Sequence, residues 1–435
     1  MGTMRPFQVV LFGLFIALGV GGILVFATFK GFGQSANPYG NKVVVWGTFD
    51  VGVFASTINA LSQTDAHFKV VSYVQKDPRS FETDLVNALA EGNGPDAVLL
   101  PQDLLLTERG KISPIPYTQL AQRTFKDTYI DGAEIFLLHD GVYALPIAVD
   151  PLVMYWNRDI FASKGLSQPP RTWEELLSTT VPTIVEKTFN LDITRAAVAF
   201  GEYVNVHNAK DILALLFTQA GSPMIVDTGT QISVELNRGD GNVIAPATAG
   251  LDFYTLFSNP GKAVYTWNRS IPEDRTQFLA GDLALYLGFA SEASGLRNGN
   301  PNFNFDIAEI PQGADAHTKK GFGRFYGLAR MRNSPNPVGT LNALNVLVSQ
   351  SQVEQYAATF GLGPVHRASY TTSPSDPFVT VVRRASLVAR GWLDPNPQTT
   401  GGIFKQMIED VSSGRQVSVK AVSDAEQRLR QLIAN

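Results

Sequence analysis

Cysteine is absent from the 435 residues of this chain, and that absence excludes several kinds of chemistry. Without thiols there is no disulfide, no thiolate metal ligand, no cysteine nucleophile and no lipid attached to an N-terminal cysteine. Histidine is scarce, and its five residues are scattered along the chain: His67, His139, His207, His317 and His366. Because no HExxH spacing occurs among them, the sequence does not support a zinc enzyme.

A strong excess of charge is also missing. Lys and Arg total 35 and Asp and Glu total 39, which leaves a net charge of −4. Because this balance is mildly acidic and no Lys/Arg stripe occurs, we expect no nucleic-acid partner. Hydrophobic residues make up 44% of the chain, enough for a sizeable core. At roughly 100–200 residues per domain, the length allows two to four domains.

The local motifs of common enzymes are missing as well. The chain has no GxSxG elbow, no GxxxxGKS/T phosphate loop and no GxGxxG turn after a strand. The carboxylate pairs Glu174–Glu175 and Glu409–Asp410 fall in polar helical segments, and Gly92–Asp96 has the composition of a tight turn. We therefore expect no cofactor, no metal site and no enzyme activity. A glycosidase remains an alternative, because two distant carboxylates suffice for glycoside cleavage.

One long apolar run, Phe7–Phe29, has no charged residue over 23 positions. As a helix rising ~1.5 Å per residue it spans roughly 34 Å, enough for a bilayer core. Arg5 and Lys30 flank the run, which suits a single-pass signal anchor with its amino end in the cytoplasm. The alternative is a cleaved signal peptide, for which Val25 and Ala27 offer small residues. Both interpretations place the rest of the chain outside the cytoplasm, and the anchored form keeps it at the cell membrane.

Strand-like and helix-like segments alternate after a linker rich in Gly, Ser, Asn and Pro, Gly31–Asn41. The clearest strands are the apolar or β-branched runs Val43–Trp46, Lys69–Tyr73 and Ala97–Leu100, and helical spacing marks Ser80–Ala90 and Thr172–Ser178. This alternation predicts an α/β fold.

Several helix ends carry capping signals. Thr172 and Glu175 form a capping-box pattern, Asn208 precedes a helical run over residues 209–220, and Asn336 followed by Pro337 predicts a cap and a first-turn proline. Near the C-terminus, an apolar stripe at helical spacing predicts a docked amphipathic helix; its members are Val419, Val422, Ala425, Leu429 and Leu432.

Several segments, taken in chain order, resemble one known family. The strongest is Gly141–Leu177, which has a Tyr-x-Leu-Pro strand, an acidic crossover, an apolar strand that includes Tyr155 and Asn157, and a Pro-Pro-x-Thr-Trp-x-Glu-Leu helix start. The other segments are Val43–Asp50, Gly94–Asp103, Phe278–Phe289, Asn304–Pro311, Gly327–Leu347 and Ser413–Ile433. Over nearly all of Lys42–Ile433, the chain resembles the family 1 extracellular solute-binding proteins, the carbohydrate-type receptors of ABC importers.

The resemblance implies an α/β fold of the two-lobed periplasmic-binding-protein type (type II) with hinge strands, preceded here by the tail and transmembrane helix of residues 1–30. Lobe 1 would comprise residues 42–149 and 323–367, and lobe 2 residues 150–322 and 368–435. A small solute, expected to be a sugar, would bind in the cleft by hinge closure and pass to an ABC permease. Besides a glycosidase, a non-transport scaffold with this fold is the alternative.

Three acidic residues match positions that contact ligand in sugar-binding members of the family: Asp50, Asp103 and Asp150. Their carboxylates can accept hydrogen bonds from hydroxyl groups. The alternatives are a turn residue for Asp50 and a helix cap for Asp103. Asp150 falls where the chain is expected to cross between the lobes.

Trp46, Trp267 and Asn268 complete the expected ligand-binding set. An aromatic face and an amide suit a sugar ring, whereas the alternatives are packing between the lobes for Trp46 and surface packing for Trp267. At two positions where the maltose-binding member presents tryptophans, this chain has Ser291 and Ile403. The resemblance therefore does not extend to a maltodextrin ligand, since pockets change faster than folds.

Overall fold

The computed structural model describes residues 37–238 and 245–434. The expected membrane helix Phe7–Phe29 and residues 31–36 of the expected linker lie outside these ranges. Within them, none of the helices has both the length and the apolar character that a membrane crossing requires.

The described strands are mostly short, but two of them reach ten residues or more. In chain order they are β1 Val43–Gly47, β2 Val71–Gln75, β3 Ala97–Pro101, β4 Leu137–Leu138, β5 Gly141–Val142, β6 Leu145–Asn157, β7 Glu186–Lys187, β8 Ile193–Val198, β9 Met224–Asp227, β10 Ile232–Glu235, β11 Leu283–Phe289, β12 Phe305–Ala308, β13 Gly321–Arg330 and β14 Ala389–Arg390.

The described helices alternate with these strands over most of the chain. They are α1 Val51–Thr64, α2 Phe81–Ala90, α3 Leu105–Glu108, α4 Gln122–Thr128, α5 Arg158–Ser163, α6 Trp173–Glu175, α7 Val181–Ile184, α8 Ala209–Ala220, α9 Pro246–Thr255, α10 Asp274–Ala280, α11 Glu292–Gly299, α12 Pro337–Leu347, α13 Gln350–Phe360, α14 Pro377–Val388, α15 Pro397–Ser412 and α16 Ser418–Ala434.

A ten-stranded sheet runs through the molecule in the order β2-β1-β3-β13-β6-β11-β8-β7, with β12 paired to β6 and β14 to β13. β1 pairs in parallel with both β2 and β3, which is the arrangement that βαβ units produce. Two small hairpins, β4–β5 and β9–β10, lie outside this sheet.

β6 connects the two halves of the sheet. Its residues Leu145–Pro151 pair with β13, while Leu152–Trp156 pair with β11. All 13 residues of β6 are buried, which explains its almost continuous apolar sequence. Asp150 is the one charged residue within it.

The three predicted N-terminal strands are confirmed, with boundaries shifted by one or two residues. The prediction that Thr172 caps a helix is also confirmed, because its Oγ1 accepts a hydrogen bond from Glu175 N at 3.1 Å. The Glu175 carboxylate accepts from Arg171 N rather than from Thr172 N, so the capping box is shifted by one residue. Asn336 caps α12 as predicted, and its Oδ1 accepts from Gly339 N.

The prediction that the Asn208 side chain caps α8 is wrong. Asn208 occupies the N-cap position, but its side chain makes no capping hydrogen bond. Its Nδ2 donates instead to Leu287 O and Glu292 Oε1. Tertiary partners on the neighbouring strand and helix have displaced the local interaction.

The amphipathic C-terminal helix is confirmed as α16. Val422, Ala425 and Leu429 are buried as the stripe predicted. Val419 is 64% exposed, so its place in the stripe was wrong, and Ala421 is buried in its stead.

The described end of the expected linker is docked on the body of the protein. Tyr39 is 7% exposed, packs edge-on against Phe68 and donates from its hydroxyl to Asp65. Asn336 Nδ2 donates to Tyr39 O at 2.7 Å, and Asn342 Nδ2 donates to Pro38 O. Residues 37–41 therefore form part of the packed structure.

The lobe boundaries stay a prediction, and we keep the names lobe 1 and lobe 2 for the residue sets defined above. β2, β1 and β3 lie on one side of the two long strands, and β11, β8 and β7 lie on the other. α14, placed in lobe 2 by the resemblance, packs on β6, β13 and β12 and on the turn Asp131–Phe136, so it contacts residues of both lobes.

Candidate functional site

A cavity of about 370 Å³ lies where segments of both lobes meet beside the two long strands. Its lining residues are Phe49, Asp150, Ser291, Ser294, Tyr326, Thr359, Phe360 and Leu362. Phe49 follows the carboxyl end of β1, which is where open α/β sheets bind ligands. The cavity has one aromatic wall and one polar wall.

Three aromatic rings from separate segments form the first wall. Phe49 packs against Tyr326 with ring centroids 4.8 Å apart, and against Phe360 at 4.7 Å. Tyr326 lies on β13 at an irregularity in its pairing with β6. Such an irregularity re-aims a side chain and is frequent next to binding sites.

Asp150 and Ser291 form the second wall. The carboxylate accepts from Ser291 N at 3.1 Å and from Ser291 Oγ at 2.5 Å. Asp150 is 3% exposed, and this burial raises its pKa to about 6, although the Ser291 hydrogen bonds and the charge of Arg324 oppose the rise. The wall thus presents a carboxylate whose charge is sensitive to its surroundings.

Glu292 holds the turn that carries Ser291. Its Oε1 accepts from Phe289 N at 2.7 Å and from Asn208 Nδ2 at 3.0 Å. Its Oε2 accepts from the Tyr286 hydroxyl. Because these partners come from β11 and from the start of α8, the turn is fixed relative to lobe 2.

Arg324 stands beside the polar wall and links three segments. It lies opposite Asp150 in the β13–β6 pairing, and its Nη2 is 3.4 Å from Asp211 Oδ2. Its Nε is 3.8 Å from Asp103 Oδ2, and its guanidinium carbon is 4.5 Å from the Phe289 ring centroid. Burial alone would lower the pKa of Arg324, but the neighbouring carboxylates raise it, so the side chain is cationic.

Of the three predicted acidic residues, Asp150 lines the cavity. Asp103 does not line it, but its carboxylate lies beside Arg324, which is next to the polar wall. The Asp103 side chain is 22% exposed, and its Oδ1 has no hydrogen-bond partner among the described residues. Asp50 is exposed and caps α1, accepting from Gly52 N at 2.8 Å and Val53 N at 3.3 Å. The turn-residue alternative therefore describes Asp50 better than a place in the cavity wall.

The two predicted tryptophans do not line the cavity. Trp46 is 9% exposed, and Lys76 Nζ lies 3.8 Å from its ring centroid. Trp267 is fully buried, and its Nε1 donates to Asn205 Oδ1. The expectation that Trp267 offers its face to a ligand is corrected, because the ring is enclosed in the core of lobe 2.

Asn268 is also engaged within the protein. Its Nδ2 donates to the Tyr265 hydroxyl at 2.7 Å, and its Oδ1 accepts from Ser270 N and Ser270 Oγ. It is absent from the cavity lining. These bonds organise the loop before α10.

The aromatic residues that line the cavity were not identified from the sequence. Only positions 291 and 403 were compared with the tryptophans of the maltose-binding member. Ser291 does line the cavity, but Ile403 is a buried residue of α15. Phe49 could have been suspected from its place beside Asp50 after the first strand. Nothing local marks Phe360, which ends an ordinary helix.

The comparisons with known proteins agree with this architecture. A family model described as a bacterial extracellular solute-binding protein matches residues 58–380. A Brucella abortus (strain 2308) protein named as a binding protein is 40% identical over 53 residues. That match covers 12% of this chain and 13% of the relative, so the chain spans about an eighth of the length of the curated relatives it matches.

Solved structures share the fold at low identity. The cyclic alpha-maltosyl-1,6-maltose binding protein from Arthrobacter globiformis has a TM-score of 0.73 at 17% identity, over 90% of this chain and 98% of that chain. The sugar-binding protein MalE from Xanthomonas citri has a TM-score of 0.71 at 18% identity, over 90% of this chain and 97% of that chain. The two-lobed α/β periplasmic-binding-protein fold is thereby confirmed. With the family match covering most of its length, the chain belongs to the bacterial extracellular solute-binding proteins.

Proposed function

We propose that this protein is the extracytoplasmic receptor of an ABC importer and that it captures a carbohydrate in the cavity between its lobes. Family membership supports the solute-binding role. The sugar class is supported by the chemistry of the two cavity walls.

The observation that carries the proposal is that one cavity of about 370 Å³ is lined both by the aromatic residues Phe49, Tyr326 and Phe360 and by the polar pair Asp150 and Ser291. A sugar ring has apolar faces lined by C–H groups and an edge of hydroxyls. Aromatic rings suit the faces, and a carboxylate accepts hydrogen bonds from the hydroxyls. Cavities of a few hundred cubic ångströms with few polar groups are typical of small-molecule sites.

The names of structural neighbours support the same class. One is a cyclo/maltodextrin-binding protein complexed with maltotetraose, and another is the GacH receptor of Streptomyces glaucescens in complex with acarbose. At 18% and 15% identity these likenesses concern the fold, and the sugar itself comes to this chain only as our proposal.

Hinge closure is the proposed mechanism of capture. β6 and β13 would act as hinge strands, and Arg324 would couple them to both lobes through Asp103 and Asp211. A ligand that contacts both walls would favour the closed arrangement, which the permease would then recognise. No covalent step is needed, so we propose no enzyme activity.

Attachment to the membrane is part of the proposal. Phe7–Phe29 would anchor the receptor as a single-pass helix, with the binding domain on the extracytoplasmic side. The boundaries of lobe 1 and lobe 2 given above are proposed with it.

Native mass spectrometry of the full chain, purified without refolding, tests the ligand class. We expect a bound saccharide, followed by reversible one-to-one binding in calorimetric titrations with mono- and oligosaccharides. Release of shorter sugars during incubation would instead favour a glycosidase. If neither the native spectrum nor the titrations show a saccharide, the carbohydrate assignment is wrong.

A matched pair of aromatic variants tests the site. Phe49→Ala should weaken saccharide binding by about tenfold, since an aromatic contact contributes about 0.5–1.5 kcal/mol beyond its buried area. Phe189→Ala is the control, because Phe189 is fully exposed in the turn between β7 and β8. Equal affinities for the two variants would remove the aromatic wall from the site.

A further inference from the structure

Two hairpins outside the main sheet touch each other across the lobes. β4–β5 belongs to lobe 1 and carries His139 at its turn, while β9–β10 belongs to lobe 2 and ends its first strand with Asp227. Neither hairpin pairs with the strands of the ten-stranded sheet. Their contact therefore lies outside the ten-stranded sheet.

One carboxylate makes this contact. Asp227 Oδ2 accepts from His139 N at 2.9 Å and lies 3.0 Å from His139 Nδ1. Asp227 Oδ1 accepts from Gly229 N at 2.8 Å within its own hairpin. The Asp227 side chain is 11% exposed and that of His139 is 47% exposed. The carboxylate is therefore largely buried, whereas the imidazole is accessible to solvent.

Each hairpin is fixed to its own lobe. In lobe 1, the Tyr117 hydroxyl donates to Leu138 O, and Val142 exchanges backbone hydrogen bonds of 2.8 and 2.9 Å with Ile115. In lobe 2, β10 packs on α16, and Arg430 Nη2 donates to Val234 O at 3.4 Å. A bond between the hairpins therefore links lobe 1 to lobe 2, because each hairpin is attached to its own lobe.

The carboxylate remains charged across the ordinary pH range. Burial alone would raise the pKa of Asp227, but the bonds from His139 N, Gly229 N and the His139 ring lower it. The His139 ring can be neutral or protonated, and only the protonated ring carries a charge. With a protonated ring the contact is an ion pair, and with a neutral ring it consists of hydrogen bonds to the carboxylate alone.

Among the residues that the structure describes, few other charged groups lie near the pair. Tyr117 and Asp140 lie on the lobe 1 side, with Lys126 beyond them. Lys126 is itself paired with Glu134 at 2.8 Å. On the lobe 2 side, residues 230–234 border a depression shared with Arg109 and Arg430. Among these residue types, histidine is the one whose charge ordinarily changes between pH 5 and 8.

We propose that His139 and Asp227 form a pH-sensitive latch that favours the lobe arrangement of this structure, in which the hairpins touch, more strongly in acid than at neutral pH. The latch acts on the lobes directly, so it does not depend on which solute the cleft binds. A receptor with this device would hold its lobes together more firmly in an acidified surrounding.

Because the chain has no cysteine, spin labels attach only to cysteines that are introduced by substitution. Val86→Cys on α2 and Val417→Cys before α16 place one spin label on each lobe, since both valines are exposed. Pulsed electron spin resonance on the ligand-free full chain at pH 5.5 and pH 8 then reports the populations of the two distances. We expect the latched population, relative to the unlatched, to fall about two- to fivefold as the pH rises, the range of a partly exposed ion pair.

Variants of the pair identify the cause. Asp227→Asn should make the distance distribution independent of pH, and so should His139→Gln, which keeps the backbone hydrogen bond but cannot titrate. Asp282→Asn, at an exposed aspartate of the same lobe, should behave as wild type. A pH-dependent shift that persists in both latch variants, or a wild-type distribution that does not change with pH, would overturn the latch. Because no sugar is present, neither result depends on the proposed ligand class.

Discussion

Asp150 and Arg324 lie directly opposite each other on β6 and β13, the two long strands of the sheet. The guanidinium does not form an ion pair with its cross-strand neighbour; its closest carboxylate oxygens belong to Asp211, at 3.4 Å, and Asp103, at 3.8 Å. Asp150 is held instead by Ser291. Among the described residues, the buried Asp150 carboxylate thus has only neutral hydrogen-bond donors, because Arg324 pairs with Asp211 and Asp103.

This arrangement makes the stability of the fold depend on pH. Burial raises the pKa of Asp150 from 3.8 to about 6, so the native state binds more protons than the unfolded state between these values. The contribution is fully present below pH 4 and is lost as the pH rises through 6. Asp150→Asn should remove this loss and raise the free energy of unfolding at pH 7 by about 1–3 kcal/mol.

Urea unfolding of wild type and Asp150→Asn at pH 4.5 and pH 7.5 measures this effect. The difference in stability between the two proteins should be larger at the higher pH. A difference that is the same at both pH values would mean that Asp150 keeps an ordinary pKa in the fold.

The same substitution should weaken ligand binding. Asparagine keeps an acceptor oxygen but loses the charge. A hydrogen bond to a charged group contributes roughly 1.5–3 kcal/mol and one to a neutral group roughly 0.5–1.5 kcal/mol, so saccharide affinity should fall by about five- to tenfold. Calorimetric titration with the saccharide found by native mass spectrometry measures the change. Ser167→Ala, at an exposed serine of lobe 2, is the control and should bind as wild type. If Asp150→Asn binds with undiminished affinity, Asp150 serves only the packing of β6.

Removal of the guanidinium should destabilise the junction of the lobes. Burial raises the pKa of Asp211, and the charges of Arg324 and Lys210 lower it, so Arg324→Gln removes one of its two cationic neighbours. We expect a loss of about 1–3 kcal/mol in the free energy of unfolding at pH 7. The matched control is Arg238→Gln, because Arg238 is 67% exposed and pairs with Glu235 three residues away. That variant should change stability by less than about 1 kcal/mol, and equal losses would contradict a special role for Arg324.

The Thr172 cap should have a measurable effect of its own. Thr172→Ala removes the acceptor for Glu175 N and should cost about 0.5–2 kcal/mol, whereas Thr172→Ser should retain most of the stability. Chemical denaturation compares the three proteins. Leu176–Thr180, which follows α6, is a π-helical turn. An unchanged midpoint for the alanine variant would mean that this turn compensates for the lost cap.

The alternation of apolar strand-like and helical segments was enough to predict the α/β class. Several local features also followed from the sequence, among them the caps at Thr172 and Asn336 and the buried face of α16. In each case the interacting groups are within four residues of one another, so their spacing along the chain already defines their geometry. The colinear family motifs added the two-lobed arrangement.

The composition of the candidate site was decided by the tertiary structure. Phe49, Tyr326 and Phe360 come from distant parts of the chain and meet only when β1, β13 and α13 pack together. Asp50 and Asp150 are both aspartates that follow apolar runs, yet Asp50 is exposed and caps α1, whereas Asp150 is buried beside Ser291. Burial and long-range contact depend on how whole elements pack, and residue type and local spacing carry little information about that packing.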